Sequence, residues 1–410
     1  MTFDQFIKSE FEFISSFGPV FLTFVALLFS ISFGAETSFA QELSVDFHEK
    51  KSITEDPDNF FLSALISVNV DNDFNMYLSD YSQNVVLKVD STGNYIDTIV
   101  KNGSGPGEVN SIYSVMVDKR LSNVIIADRL NARISKLDLN GNEMQAITIN
   151  PSENNIPVAM TKFTDGNYLF LFSLSPKQNL RSIKGIDTFF HIYNLDAGER
   201  TQSFGDRENL LDSLSYSNGI AAAFTSSRIG SVKLLSDDQL LYAPYVYGGT
   251  MLKHRKDDEG DWKLSRKVTG NSLSRQVAID FNFEDYLDNR KAYRDKTPRN
   301  ISTSMGEGKN AAGIINYYSG GIYQTSDYIM HFYISEDEFE DTFRHTLHVE
   351  LFDDELNFLS SHTLYEGQVG EILAGGVTDM DSEGNFYMPV RHLSQPEKNR
   401  AMVFKLEITE

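Results

Sequence analysis

The sequence predicts an all-β fold, a six-bladed β-propeller whose blades are four-stranded antiparallel sheets. The first observation is a repeat: Asp80 and Asp128 are 48 positions apart, and so are Gly93 and Gly141. A period of about 40–50 residues is typical of one propeller blade. The second observation is that short apolar runs alternate with Asp, Asn and Gly turns. The third is that residues 41–410 hold six such units.

Each of the first two units is predicted to form four strands, because runs rich in β-branched residues are separated by turn-forming residues. In the first unit we predict strands over residues 66–70, 75–78, 85–89 and 95–100. In the second unit we predict strands over residues 114–117, 123–127, 133–137 and 143–149.

The last unit repeats the second and predicts how the ring closes. Glu108 precedes Asp118 by ten residues, and Glu371 precedes Asp381 by ten, each after a glycine-containing linker. The last unit supplies three strands, at residues 376–381, 385–390 and 401–408. We expect residues 43–47, at the mature N-terminus, to add the fourth strand, so that no sheet edge stays exposed.

The three middle units are more divergent, and the period breaks at two insertions. The units begin near Phe163, Val232 and Gly321, and the insertions occupy residues 206–230 and 271–320. Apolar and aromatic residues within 283–294 recur at helical spacing, so we predict a short surface helix there. What is specific to this protein is expected to lie in these insertions.

Composition excludes several classes of function. The formal net charge is −22, and such a field repels phosphate backbones, so we expect no nucleic-acid partner. The chain has no cysteine, which excludes disulfides, thiolate metal sites and cysteine nucleophiles. We expect a monomer.

The N-terminus predicts export. Residues 17–33 are apolar, and Ser38 and Ala40 fit the −3 and −1 positions of signal peptidase cleavage. We therefore interpret residues 1–40 as a signal peptide and 41–410 as the propeller. The preceding segment is acidic rather than basic, so an uncleaved membrane anchor at 17–33 is the alternative. The expected destination is the periplasm, cell surface or exterior of a Gram-negative bacterium.

Residues 103–141 carry a family resemblance. The run Gly-x-Gly-Pro-Gly-Glu at 103–108 is followed by Ile-Ala-Asp at 126–128 and Leu-Asp-x-Asn-Gly at 137–141. This pattern resembles an NHL-type repeat, and the chain as a whole resembles the exported six-bladed β-propeller proteins of the Bacteroidetes. The resemblance implies a six-bladed ring with a central channel and implies little about activity.

Tyrosine-rich segments beside the insertions are candidate ligand-binding surfaces, because tyrosine is rigid and amphipathic. Four arginines in or near the insertions could face an acidic ligand, namely Arg228, Arg290, Arg294 and Arg299. Aromatic packing between neighbouring blades is the competing interpretation for the tyrosines, and a solvated surface for the arginines. The candidate ligand-binding residues are Tyr245, Tyr247, Arg228, Arg294, Tyr317 and Tyr318.

Metal binding has only weak candidates. Asp80 and Asp128 share a repeat position and could bind a cation at the channel mouth, but such residues more often cap turns. Asp381 lies in a segment similar to the opening of a calcium loop, which lacks the bidentate Glu at position twelve. The eight histidines show no ligand motif. We expect no cofactor, with calcium or zinc as alternatives.

The sequence therefore favours a non-catalytic scaffold that binds a protein, peptide or glycan through the insertion-bearing face. The alternative is a metal-dependent hydrolase or lyase with a divalent ion in the central channel. An enzyme is the less favoured of the two, and the expected membrane contact is limited to an uncleaved N-terminal segment.

Overall fold

A computed structural model describes most of the chain from Leu43 to Thr409, which forms one compact unit. The described ranges are 43–149, 156–164, 166–173, 188–206, 230–273, 278–281, 301–304, 311–339 and 342–409. The predicted signal segment and the helix predicted within 283–294 lie outside them. Among the described residues, no helix has the length and apolarity needed to cross a membrane.

The strands group into six blades, each an antiparallel sheet in chain order. Blade 1 contains β2 (Leu65–Val70), β3 (Met76–Asp80), β4 (Val85–Val89) and β5 (Tyr95–Asn102), with the short parallel strand β6 (Glu108–Val109). Blade 2 contains β7 (Ile112–Asp118), β8 (Asn123–Asp128), β9 (Arg133–Asp138) and β10 (Glu143–Thr148). Blade 3 contains β11 (Ile156–Thr164), β12 (Asn167–Ser173), β13 (Thr188–Asn194) and β14 (Glu199–Asp206).

The second half of the ring follows the same plan. Blade 4 contains β15 (Gly230–Ser236), β16 (Gln239–Pro244), β17 (Thr250–Lys256) and β18 (Trp262–Thr269). Blade 5 contains β22 (Tyr317–Gln324), β23 (Ile329–Phe339), β24 (Thr342–Phe352) and β25 (Phe358–Glu366). Blade 6 contains β26 (Glu371–Leu373), β27 (Asp379–Met380), β28 (Asn385–His392), β29 (Arg400–Thr409) and β1 (Ser44–Ile53), with a 3₁₀ turn at Pro396–Lys398.

The N-terminal strand closes the ring as predicted. Strand β1 pairs antiparallel with β29, with Val45 opposite Ile408 and Phe47 opposite Leu406. The Phe47 ring lies 4.8 Å from that of Phe404. First and last strands thus share one sheet, which removes the exposed edge that each would otherwise present.

A separate hydrophobic cluster fills each of the six seams between neighbouring blades. At the seam between blades 3 and 4, for example, Phe190 and Phe204 pack with Tyr242 and Trp262. Each blade therefore buries both faces against its neighbours, which explains why its strands are apolar on both sides. The predicted six-bladed propeller is confirmed.

The repeated Asp residues build turns, as their sequence context predicts. Asp71 accepts hydrogen bonds from the backbone and side chain of Asn75 and from the Tyr77 hydroxyl. In the last blade, Asp381 makes the same three bonds with Asn385 and Tyr387. The spacing of Asp, Asn and Tyr at i, i+4 and i+6 thus marks one local structure used twice.

Both insertions leave the propeller at the same end of the ring. One joins β14 to β15 and the other joins β18 to β22, so each connects an outer strand to the next inner strand. The second insertion also contains a three-stranded sheet that the sequence did not indicate. Its strands are β19 (Ala278–Phe281), β20 (Ile301–Ser304) and β21 (Ala311–Ile315), in the order β19-β21-β20.

Candidate functional site

A central cavity of about 970 Å³ lies between the first strands of the blades. These strands contact one another around the ring, from β2 to β7, β11, β15 and β22. The hydrogen bond from Val377 N to Gly320 O, 2.7 Å long, links blade 5 to blade 6 on the inner side. Every blade contributes to the wall, and the volume suits a small-molecule or short oligomeric ligand.

The charge of the cavity wall is opposite to that of the whole chain. The described lining residues include six cationic side chains and two carboxylates, whereas the chain carries −22. The cationic residues are Lys119, Arg120, Arg129, Lys162, Lys233 and Arg391, and the carboxylates are Asp118 and Asp379. The cavity is therefore a local positive region in an acidic protein.

An ion pair crosses the end of the cavity opposite the insertions. Lys119 Nζ of blade 2 lies 2.9 Å from Asp379 Oδ1 of blade 6 and donates to the Met380 carbonyl. The other Asp379 oxygen accepts the Val70 amide at 2.8 Å. Burial raises the pKa of Asp379, although Lys119 opposes that shift. This pair joins two blades that are not neighbours and narrows the channel there.

A second ion pair joins blades 2 and 3 at the same end. Lys162 Nζ lies 2.7 Å from Asp118 Oδ1, and the Tyr168 hydroxyl donates to Asp118 Oδ2 at 2.8 Å. Burial alone would raise the pKa of Asp118, but these hydrogen bonds outweigh it and hold the pKa below its usual value. Both cavity carboxylates are thus already neutralised by lysines.

Lys233 is a cavity cation without such a partner. It lies on β15 and lines the cavity, and within the described part of the chain its ammonium group has no hydrogen-bonding or ion-pair partner, although its backbone is paired with β16. Burial lowers its pKa; Asp379 opposes this shift and Lys119 adds to it. An anion bound beside Lys233 would supply the missing counter-charge.

The other mouth of the cavity is surrounded by four residues. Each of them lies at the end of the second strand of its blade or directly after it. The Arg129 guanidinium lies 5.9 Å from the centre of the Tyr113 ring, so an aromatic and a cationic group face the opening together. This mouth is at the end where the insertions leave the ring. The four residues are Tyr81, Arg129, Tyr245 and Arg391.

The structure brings together all four predicted tyrosines, at the seam between blades 4 and 5. The amides of Tyr247 and Ser319 donate to the carbonyls of Tyr317 and Tyr245, at 3.1 and 2.9 Å. Tyr247, Tyr317 and Tyr318 are buried, which favours the packing interpretation for them. Tyr245 is half-buried and lines the cavity, so it is the one tyrosine of the four in position to touch a ligand.

The hydroxyls of the buried tyrosines are bonded inside the protein. Tyr247 donates to Glu350 Oε2 at 2.5 Å, and the Tyr318 hydroxyl lies 2.8 Å from His345 Nδ1. Arg228 and Arg294, the predicted ligand-binding arginines, lie outside the described residues, and their role stays a prediction.

The aspartates that were weak candidates for metal binding accept hydrogen bonds from backbone amides of nearby loops. Asp80 accepts the amides of Ser63 and Ala64, and Asp128 accepts those of Asn110 and Ser111. These residues lead into the inner strand of each blade, so the carboxylates hold the start of that strand in place. Asp381 likewise accepts the turn bonds described above.

The cavity lysines were not identified from the sequence. Lys119, Lys162 and Lys233 come from three blades, and no local motif marks them. Each lies in or directly after the first strand of its blade, where side chains face the channel, but Lys162 precedes the point at which the sequence indicated the start of its unit. Ser319, within the tyrosine-rich segment, was overlooked in favour of its aromatic neighbours.

Comparisons with known proteins agree with this architecture. Residues 54–251 match a family described as a 6-bladed beta-propeller, DUF5128. A structure of a DUF4221 family member from Bacteroides vulgatus is similar, with a TM-score of 0.55, 11% identity, and coverage of 89% of this chain and 99% of that chain.

A Bacteroides fragilis protein described as exported has a TM-score of 0.50 and 11% identity, with coverage of 90% of this chain and 96% of that chain. No functionally curated protein matches the sequence. At these identities the similar structures show the fold alone. The chain is a six-bladed β-propeller, and its residues 54–251 are similar to the DUF5128 family of that fold.

Proposed function

We propose that this protein is an exported propeller that binds an anionic ligand in its central channel. The observation that carries the proposal is the cluster of six cationic side chains around a cavity in a chain of net charge −22. Repulsion from the acidic outer surface would act against anions elsewhere, whereas a cation-lined cleft concentrates them. Carboxylate, sulfate or phosphate groups on a peptide, glycan or small molecule fit this chemistry.

The ligand would enter from the insertion-bearing end. Tyr81 and Tyr245 offer aromatic faces at this mouth, and Arg129 and Arg391 offer charge. The opposite end is narrowed by the Lys119–Asp379 pair. A ligand entering past the aromatic rim would therefore place its anionic group toward Lys233, whose ammonium group has no partner among the described residues.

Export is part of the proposal. It is supported by the predicted signal segment at residues 1–40 and by the fold shared with a protein described as exported.

The arrangement of the cavity favours binding over divalent-metal chemistry. Among the described lining residues there is no histidine, and both carboxylates are paired with lysines. In that same part of the chain, one group of three side chains is close enough together to coordinate a metal ion: Asp257, Glu259 and Asp261. These residues are exposed on the β17–β18 hairpin, away from the channel, and Asp257 accepts the turn amides there.

The test compares two probes that share one ring system. 8-Anilino-1-naphthalenesulfonate carries a sulfonate, and N-phenyl-1-naphthylamine is its uncharged counterpart. We expect the mature protein to bind the sulfonate at least about tenfold more tightly, as titrated by fluorescence. Lys233→Met should weaken that binding, and the control Lys405→Met, at an exposed lysine of β29, should not. Equal affinity for the two probes, or binding indifferent to Lys233, would refute the proposal.

A further inference from the structure

Three side chains on successive strands of blade 5 form a hydrogen-bonded chain that ends at the cavity wall. Ser319 Oγ on β22 lies 3.0 Å from His331 Nε2 on β23. His331 Nδ1 lies 3.0 Å from Glu350 Oε2 on β24. His331 and Glu350 are directly opposite each other in the strand register. A serine, an imidazole and a carboxylate in this order are the components of a nucleophilic serine site.

The hydrogen bonds around Glu350 determine which way the imidazole is oriented. Glu350 accepts the Tyr247 hydroxyl at Oε2, 2.5 Å away, and the Asn271 amide at Oε1, 2.6 Å away, so both of its oxygens serve as hydrogen-bond acceptors. His331 Nδ1 must then donate to it. In the neutral imidazole Nε2 is left as the acceptor, and it faces Ser319. The arrangement thus places a general base against the serine hydroxyl.

Ser319 is the member of the chain that reaches the cavity. It lines the cavity, as does Ser231 of blade 4, whose Oγ accepts a 2.9 Å hydrogen bond from the Ser319 hydroxyl. Attack by Ser319 therefore requires its hydroxyl to rotate so that the proton points to His331 Nε2, 3.0 Å away. His331 and Glu350 are fully buried. A β-bulge between Ser319 and Gly321 interrupts the register directly after the serine, and bulges often re-aim a side chain beside an active site.

Other serine and histidine pairs in the described residues lack part of this arrangement. Ser335 Oγ lies 2.9 Å from His348 Nε2, but the Nδ1 of that ring contacts Thr363 Oγ1 rather than a carboxylate. His191 contacts Ser203 through Nδ1, and its Nε2 lies near the Thr188 carbonyl. Neither Ser335 nor Ser203 lines the central cavity. Ser335 is therefore an internal control for Ser319.

We propose that Ser319 is a catalytic nucleophile that hydrolyses an ester bound in the channel. Ser319 Oγ attacks the carbonyl carbon, and its proton moves to His331 Nε2 while the carbonyl π pair moves to oxygen. The tetrahedral intermediate collapses, the bond to the leaving alcohol breaks, and that alcohol takes the proton from His331. Water then attacks the acyl-serine by the same route and releases a carboxylic acid and free serine.

The channel supplies two further requirements of this reaction. We expect its cationic wall to favour the negative charge that develops on the carbonyl oxygen. Glu350 acts as a positioning residue, since it holds the imidazole in the required tautomer without touching the substrate. The reaction does not depend on the charge of the bound ligand, so it stands apart from the anion-binding proposal.

The test uses an alkyl fluorophosphonate, which reacts covalently with activated serines, on the mature wild-type protein. We expect one adduct per chain, located on Ser319 by peptide mapping. His331→Gln should slow labelling by at least about a hundredfold. Ser335→Ala should label like the wild type. Glu350→Asp should recover part of the rate that Glu350→Gln loses, which a merely structural role would not produce.

Two results would overturn the inference. One is wild-type protein that stays unlabelled, or carries its adduct on another serine. The other is a folded Ser319→Ala protein that hydrolyses p-nitrophenyl esters as fast as the wild type. Binding of the naphthalenesulfonate probe by Ser319→Ala separates the two proposals, because loss of the nucleophile should leave that binding intact.

Discussion

The hydroxyl of Tyr247 is expected to stabilise the protein rather than to bind a ligand. The side chain is fully buried, and the hydroxyl donates a 2.5 Å hydrogen bond to Glu350. Tyr247→Phe keeps the ring and its contacts, so no cavity is created. A hydrogen bond to a charged group contributes about 1.5–3 kcal/mol. We expect the free energy of unfolding to fall by about that amount, since Glu350 stays buried with one donor fewer.

The measurement is the melting temperature by calorimetry. For a domain of this size, a loss of about 1.5–3 kcal/mol corresponds to a decrease of about 2–4 °C. Tyr81→Phe is the matched control, because Tyr81 is 44% exposed and its removal of a hydroxyl should leave the melting temperature unchanged. If Tyr247→Phe melted within 0.5 °C of the wild type, the assignment of Tyr247 to the buried network would be wrong.

Three further predictions follow from burial, charge and ring closure. Lys233→Met should raise the free energy of unfolding by about 1 kcal/mol, measured by urea unfolding, because burial disfavours the charged form of Lys233 and lowers its pKa. A loss of stability would contradict this reasoning. Burial lowers the pKa of His191 and of His254 to about 4. As the pH falls from about 6.5 to 4, the unfolded chain therefore binds protons that the folded chain does not. The free energy of unfolding should decrease over this range by up to about 3 kcal/mol for each histidine. His254→Leu should reduce this loss, and an unchanged pH profile would contradict it. Deletion of β1 (Ser44–Ile53) exposes the edge of β29, so light scattering should detect oligomers, and a stable monomer would argue against strand closure.

Much of the fold could be predicted because its signals are local. The turn formed by Asp71, Asn75 and Tyr77 requires residues only six positions apart, and it recurs at Asp381. Strand positions in the first two units followed from β-branched runs between such turns. Ring closure followed from counting strands, since a blade with three strands needs a fourth.

The candidate site was predicted less well, because it depends on contacts between distant segments. Tyr245 and Tyr247 were chosen for their residue type, and the same type serves both binding surfaces and cores. Their neighbours decided the outcome: Tyr247 points into the seam against Glu350, and Tyr245 lines the cavity. The small sheet within residues 271–320 was missed because its strands are short and the first of them is far from the other two in the chain.

The sequence by itself determined the repeat, the number of blades, the turn chemistry and the closing strand. These features depend on hydrophobic period and on residues close together in the chain. The tertiary structure alone decided that Lys119, Lys162 and Lys233 meet in one cavity, and that Ser319 joins His331 and Glu350. The physical reason is register, because a shift of one residue in a strand sends every side chain to the opposite face. Register in this ring is set by packing at six seams, which no single segment encodes.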